Sequence, residues 1–208
     1  EREQRRALEL DPGFGAAHME LGLLVPLNGG SVEESTANFQ AGRKLTAALP
    51  EKERRIVELD ELVTPTVPVP GDEQLQKAKV MKGLAEVEAR YPQDEYVLYW
   101  GGWAHNFFGE WEEALAYYTR SLAIDPGQCY VVGFARVLFA RLGRDDEQLP
   151  MLRRAVEARP NAANRAAFAT DLAVGQPEEA SRQAREALRL ATVGQPNVFL
   201  AAGCVLAR

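Results

Sequence analysis

EYVLYWGGWAHNFFGEWEEALAYYTRSLAIDPGQ, residues Glu95–Gln128, decides the fold. An apolar, aromatic-rich stretch runs to Gly109. A second begins with Glu112 and Glu113, carboxylates that complement the positive start of a helix. Pro126 stops it, because proline has no backbone N–H and its ring clashes with the preceding turn. The next segment, CYVVGFARVLFARLGRDDEQLPMLRRAVEARPNA (Cys129–Ala162), repeats the plan. Pro92, Pro126 and Pro160 stand 34 residues apart, and Gly109 and Gly143 share that spacing. Each unit therefore reads helix, glycine turn, helix, proline stop, and a fixed period of this size marks a repeat architecture. A third unit, two residues shorter, follows around Gly175, Ala180, Ala184, Ala187 and Thr192.

Gly102, Gly109, Ala114, Tyr118, Ser121 and Pro126 fall in order on the pattern of the tetratricopeptide repeat (TPR), which this segment resembles. Small residues at Gly102 and Ala114 allow two helices to approach closely, and Tyr118 fills the space beside them. The resemblance implies an all-α fold, a right-handed α-solenoid of antiparallel helix pairs (a TPR superhelix) with about twelve helices. It covers residues 1–208 as a single array. Degenerate repeats occupy 1–92, clear repeats 94–162, a shortened repeat 163–194 and a half repeat 195–208. In the second clear unit, Gln148 stands where alanine is expected and Pro150 falls in the second helix. That helix is expected to start late, with Pro150 in its first turns, or to kink, and to pack more loosely.

The degenerate half contains the same parts less regularly. Ala7, Leu8 and Pro12 look like the tail of a second helix. Helices are expected over Glu1–Leu10, Gly15–Leu27, Ser31–Ala48, Glu51–Val63 and Glu73–Tyr91. Ser31 and Glu34 fit a capping box, and Gly22, Phe39 and Pro50 lie near TPR positions. Thr64–Gly71, TPTVPVPG, holds three prolines and favours an extended path. At the far end Pro196–Ala207 reads as a first helix. The chain opens on Glu1 without a signal-peptide pattern, and its first and last repeats are halved. The remainder of a longer parent chain is therefore expected at both ends.

Composition agrees with helix. Alanine is abundant, arginine far outnumbers lysine, and isoleucine occurs only at Ile56 and Ile124. That bias is a compositional hint of a bacterial source. The chain is 46% hydrophobic, too apolar for a disordered polymer. No apolar run reaches the roughly 18 residues of a membrane helix, so no membrane insertion is expected. The net charge of −6 argues against general nucleic-acid binding. Residues 51–128 carry the acidity and also most of the aromatics, whereas a nucleic-acid site needs aromatics interleaved with bases. Cys129 and Cys204 lack CxxC spacing and read as buried structural thiols. His18 and His105 read as packed histidines, and Glu112–Glu113 and Glu178–Glu179 as helix-start charges rather than a catalytic pair. With no phosphate loop and no metal cluster, neither enzymatic activity nor a cofactor is expected. Few cysteines and no leader point to the cytoplasm.

The TPR resemblance implies a groove lined by first helices. On its positions stand Tyr96, Tyr99, Trp103, Asn106 and Phe107, followed by Tyr130, Gly133, Val137, Ala140 and Arg141. The candidate partner-binding residues are Tyr96, Tyr99, Trp103, Asn106, Phe107, Tyr130 and Arg141, which share one face by helical spacing. They would capture a protein or peptide segment, so the expected function is a non-catalytic interaction scaffold. Two other uses of the aromatics stay open: packing against adjacent repeats, or occlusion by Thr64–Gly71. Tyr99, Trp103, Gly133 and Phe134 occupy the positions where some TPR domains clamp a terminal carboxylate, so that clamp is not expected in the recognisable repeats. LTAALPEKERRIVELDELV (Leu45–Val63), with the following helix that ends at ARYPQD, resembles TPR arrays appended to bacterial kinases, cyclases and transcription regulators. A regulatory arm of such a signalling protein is the second expectation.

Overall fold

The computed structural model describes the backbone of residues 1–27, 30–46, 48–63, 73–192 and 195–207. Side chains are described for these residues except 23, 24, 26, 27, 46, 53, 59–63 and 73. Thr64–Gly71, expected to be extended, lies outside the described residues. Twelve helices and no strand occur among those described, and none of the helices is long and apolar enough to cross a membrane. They fall into two compact units, Glu1–Tyr91 and Pro92–Arg208.

The first unit contains α1 (Arg2–Leu10), α2 (Gly15–Leu27), α3 (Val32–Thr46), α4 (Glu51–Val63) and α5 (Glu73–Arg90). Ser31 caps α3 by accepting the Glu34 N–H at 3.1 Å, the backbone half of the expected capping box. The Glu34 carboxylate reaches Arg5 of α1 at 2.6 Å. The unit is held by close approach of α2 and α3. A Cβ on Gly22 would lie 2.6 Å from the Phe39 ring, and the buried Ser35 hydroxyl donates to the Gly22 carbonyl at 2.6 Å. In the neighbouring pair, Val80, Leu84 and Val87 form the buried stripe of α5, Ile56 is buried on α4, and Arg90 pairs with Glu51.

The second unit contains α6 (Glu95–Phe107), α7 (Trp111–Ile124), α8 (Cys129–Arg141), α9 (Asp145–Ala158), α10 (Ala162–Leu172), α11 (Pro177–Leu190) and α12 (Pro196–Leu206). Its turns repeat the 34-residue period atom by atom. Gly109 and Gly143 adopt φ of +74° and +68°, a region costly for residues with a Cβ. Behind them, the Glu110 N–H reaches the His105 carbonyl and the Arg144 N–H the Phe139 carbonyl, both at 2.9 Å. The proline stops repeat as well. Gly127 N–H donates to Asp125 Oδ1 at 3.0 Å, and Gly13 N–H to Asp11 Oδ1 at 2.9 Å. The end of α1 thus has the same Asp-Pro-Gly turn as the end of a second helix.

Within α6–α7 the small residues do what the pattern demands. A Cβ on Gly102 would sit 2.3 Å from the Tyr118 ring, and Ala114 and Tyr118 are fully buried. One repeat later these small positions hold Arg136 and Gln148. Arg136 donates to Asp171 of α10 at 2.6 and 2.9 Å, and Gln148 also donates to Asp171. A polar junction thus replaces the close contact, and α8 and α9 pack less intimately than α6 and α7. α9 begins at Asp145, so Pro150 lies inside it rather than at a delayed start. At the next boundary the buried Asn164 amide donates to the carbonyls of Gly127, Arg159 and Ala155. This ties α10 to the ends of α7 and α9. Ala180, Ala184 and Ala187 then restore close packing between α10 and α11.

Three measurements test this packing. Gly102→Ala must displace Tyr118 and is expected to lower stability by about 1–3 kcal/mol in urea unfolding. Gly133→Ala, whose Cβ meets nothing within 4 Å, should raise it by about 0.5–1 kcal/mol. A double-mutant cycle on Arg136→Ala and Asp171→Ala should show a coupling of about 1–2 kcal/mol. Additive losses would mean the pair is an inert surface contact.

Candidate functional site

α6 places Tyr96, Tyr99, Trp103 and Phe107 at intervals of three and four residues, so one face carries four aromatic rings. Asp94 starts that helix by accepting the N–H groups of Tyr96 and Val97, both at 3.1 Å. The four rings are not equivalent. Tyr96 and Phe107 are 45% and 48% exposed. Tyr99 and Trp103 are half-buried and meet Phe134 of α8, with ring centroids 6.2 and 5.6 Å away. Tyr99 also lies 6.2 Å from Tyr96 with its ring nearly parallel. The inner rings therefore pack between helices, one of the anticipated uses, and the outer ones face solvent.

α8 supplies the adjoining strip. Tyr130 is 74% exposed, and Gly133, Val137 and Ala140 follow it on the same side, all exposed. Arg141 is committed elsewhere: its guanidinium lies 4.4 Å from the centre of the Trp111 ring at the start of α7. Asn106 is half-buried, and its carbonyl accepts the Gly109 N–H at 3.1 Å in the turn. Phe134, which sequence reasoning passed over as a packing residue, joins the two helices. It stacks on Tyr118 at 5.7 Å and meets both Tyr99 and Trp103. The period held the signal, since Phe134 stands 34 residues after Trp100.

Beneath these rings, the Tyr118 hydroxyl is buried with no hydrogen-bond partner among the described residues. Burial, with a smaller contribution from Tyr99, pushes its phenol above the ordinary tyrosine range.

The other sequence candidates occupy structural settings. His105 Nδ1 lies 2.8 Å from Glu110 and its ring stacks on Tyr117. His18 lies between the Asn38 side chain and the Pro12 carbonyl. Cys129 and Cys204 are free thiols, but Cys129 is only half-buried and Cys204 is exposed at the solvent side of α12, so the expected burial does not hold for Cys204. Glu112 lies 3.3 Å from Arg144, and Glu179 pairs with Arg182. No cluster of three potential metal ligands occurs among the described residues. A separate apolar cleft of about 370 Å³ lies between α7 and α9, over Phe139 and beside Pro150. None of the seven expected partner-binding residues lines it.

No protein-family model and no curated protein matches the chain. Solved structures do. A TPR protein of Thermus thermophilus, TTC0263, superposes with a TM-score of 0.61 at 16% identity, over 93% of this chain and 100% of its own. Yeast Tom70 gives 0.58 at 14% identity, over 98% of this chain and 42% of Tom70. YrrB, a TPR protein described as having an unusual peptide-binding site, gives 0.50 at 15% identity, over 97% of this chain and 96% of its own. The fold is that of the TPR family. The expected all-α class, an α-solenoid of antiparallel helix pairs, therefore holds. At these identities the TPR likeness establishes the fold alone.

Tyr118 gives a test of the TPR packing under the aromatic face. Its folded-state pKa is raised, so the native state keeps a proton that the unfolded chain loses near pH 10. The stability it contributes is complete below that pH and falls as pH rises further. Tyr118→Phe should remove this alkaline loss, about 1.4 kcal/mol per pH unit for one proton. Because it also removes an unpartnered buried hydroxyl, stability at neutral pH should be unchanged or higher.

Proposed function

We propose that the chain is a TPR scaffold without chemistry of its own, which captures a segment of a partner protein on the aromatic face of α6 and α8. The observation that carries this is the row of solvent-facing aromatics. Tyr96, Phe107 and Tyr130 are held by well-packed helices, and Tyr99 and Trp103 give them a rigid floor. Large aromatics lose little conformational entropy on docking and dominate interface energies. Arg141, engaged by Trp111, flanks this face rather than forming its centre. The peptide-binding description of YrrB, which shares the fold, supports the same use here. The Gly22–Phe39 and Gly102–Tyr118 contacts support reading both units as one repeat array.

A random dodecapeptide library displayed on phage tests the proposal. Selection on the chain should enrich binders whose affinity falls roughly thirtyfold with Tyr130→Ala, equivalent to about 2 kcal/mol. Tyr96→Ala should act in the same direction, with helicity unchanged for both. Binders indifferent to both substitutions would move the site elsewhere, and the α7–α9 cleft would be the next to examine.

A further inference from the structure

Independently of the aromatic face, we infer that the cleft between α7 and α9 is a second binding site. Its ligand is a free apolar tripeptide, with a charged amino terminus and a charged carboxyl terminus. The cleft exists because this repeat departs from the pattern. Gln148 stands at a small-residue position and Pro150 lies inside α9, so α9 does not close on α7. About 370 Å³ opens between them, over the buried side chains of Leu122 and Phe139 and the half-buried Met151. That size falls near the low end of small-ligand pockets, roughly 300–1,000 Å³. One turn of helix with its side chains, about 10 Å across and 5.4 Å long, already fills roughly 400 Å³. The occupant is therefore a small molecule or a few residues of extended chain rather than a helix.

The charges along the cleft select among these. Asp146, Pro150 and Arg154 recur at four-residue intervals on α9, and all three line it. Among the described residues neither Asp146 nor Arg154 has an ion-pair partner. Glu147, the other carboxylate at that end, is already held by Arg144 at 2.6 and 2.9 Å. Pro150 adds a second acceptor beside Asp146. It has no N–H to give to the carbonyl four residues before it, which is that of Asp146. A carboxylate and an unclaimed carbonyl on one turn suit an ammonium group, which only donates. Two turns on, the Arg154 guanidinium suits a carboxylate, which it can grip through two parallel hydrogen bonds. The two ends are eight residues apart, about 12 Å along the helix. Three residues of extended chain span about 10 Å. A tripeptide thus brings one charge to each end and sets its side chains on the apolar floor. A segment inside a longer chain has neither charge on its backbone. It would need a lysine and a glutamate at the two ends, and ordering such long side chains costs rotamer entropy.

Methyl NMR of the whole chain, labelled at methionine, decides the matter. Of the three methionines, Met19, Met81 and Met151, only Met151 lines the cleft, so the other two serve as references. The probes are Leu-Ala-Leu, its N-acetylated form and its C-terminal amide. Unblocked Leu-Ala-Leu is expected to shift the Met151 signal saturably, with each blocked form at least tenfold weaker. Asp146→Asn should weaken the unblocked peptide about tenfold and leave the acetylated one unchanged. Arg154→Gln should act in the same way toward the unblocked peptide and the amide. Tyr130→Ala, on the aromatic face, should change nothing, so the failure of either site leaves the other standing. Equal binding of blocked and unblocked peptides would overturn the inference, leaving a cleft open to any apolar group. So would binding indifferent to Asp146→Asn and Arg154→Gln, or a Met151 signal unmoved by Leu-Ala-Leu at about 10 mM. Tighter binding of acetyl-Lys-Leu-Ala-Leu-Glu-amide than of Leu-Ala-Leu would overturn it in favour of a segment within a larger protein.

Discussion

A glycine on one helix lying against an aromatic ring on the next is the contact on which the rest of the structure depends. Gly102 against Tyr118 in α6–α7, and Gly22 against Phe39 in α2–α3, leave no room for a Cβ. The two helices of each pair therefore approach until the ring closes the gap. That approach buries Ala114 in one pair and Ser35 in the other. Dispersion across such a contact is small per atom and large in sum. The ring also sets where the following helix lies, since Tyr118 stacks on Phe134 of α8. One contact thus closes a hairpin and positions its neighbour.

Where that contact is missing, the chain keeps its period by other means. Arg136 and Gln148 are too large for close approach, and both converge on the mostly buried carboxylate of Asp171. Charge-assisted hydrogen bonds then take over the joining of α8, α9 and α10. Asn164 adds a second polar tie by collecting three backbone carbonyls at the ends of α7 and α9. The α7–α9 cleft beside Pro150 lies in this loosened part of the repeat array. The array tolerates a weak unit because each repeat leans mainly on its neighbours.

Much of this was legible beforehand because the relevant signals are local. Helix starts and stops at Gly109, Gly143, Pro126 and Pro160 depend on backbone sterics within a few residues. Helices α2 and α4 have the expected limits, and α3 and α5 end within two residues of theirs. The face shared by Tyr96, Tyr99, Trp103 and Phe107 followed from helical spacing. What was not legible was how far each ring is covered. Exposure depends on Phe134, which reaches Tyr99 and Trp103 across more than thirty residues of sequence. Arg141 fell on the expected face by position, yet a ring on another helix draws it away. Asp171 gave no sign of joining Arg136 and Gln148, because no pattern within one helix reports a partner on the next.

The sequence by itself determined the helical class, the 34-residue period, the turns and the aromatic row on α6, since these follow from propensity, spacing and the geometry of glycine and proline. Only the tertiary structure decided which aromatics serve as floor and which face solvent, and which misfit residues are reconciled by a shared carboxylate. The physical reason is that burial and ion pairing are properties of pairs of helices. Their strength depends on distances that no single helix specifies.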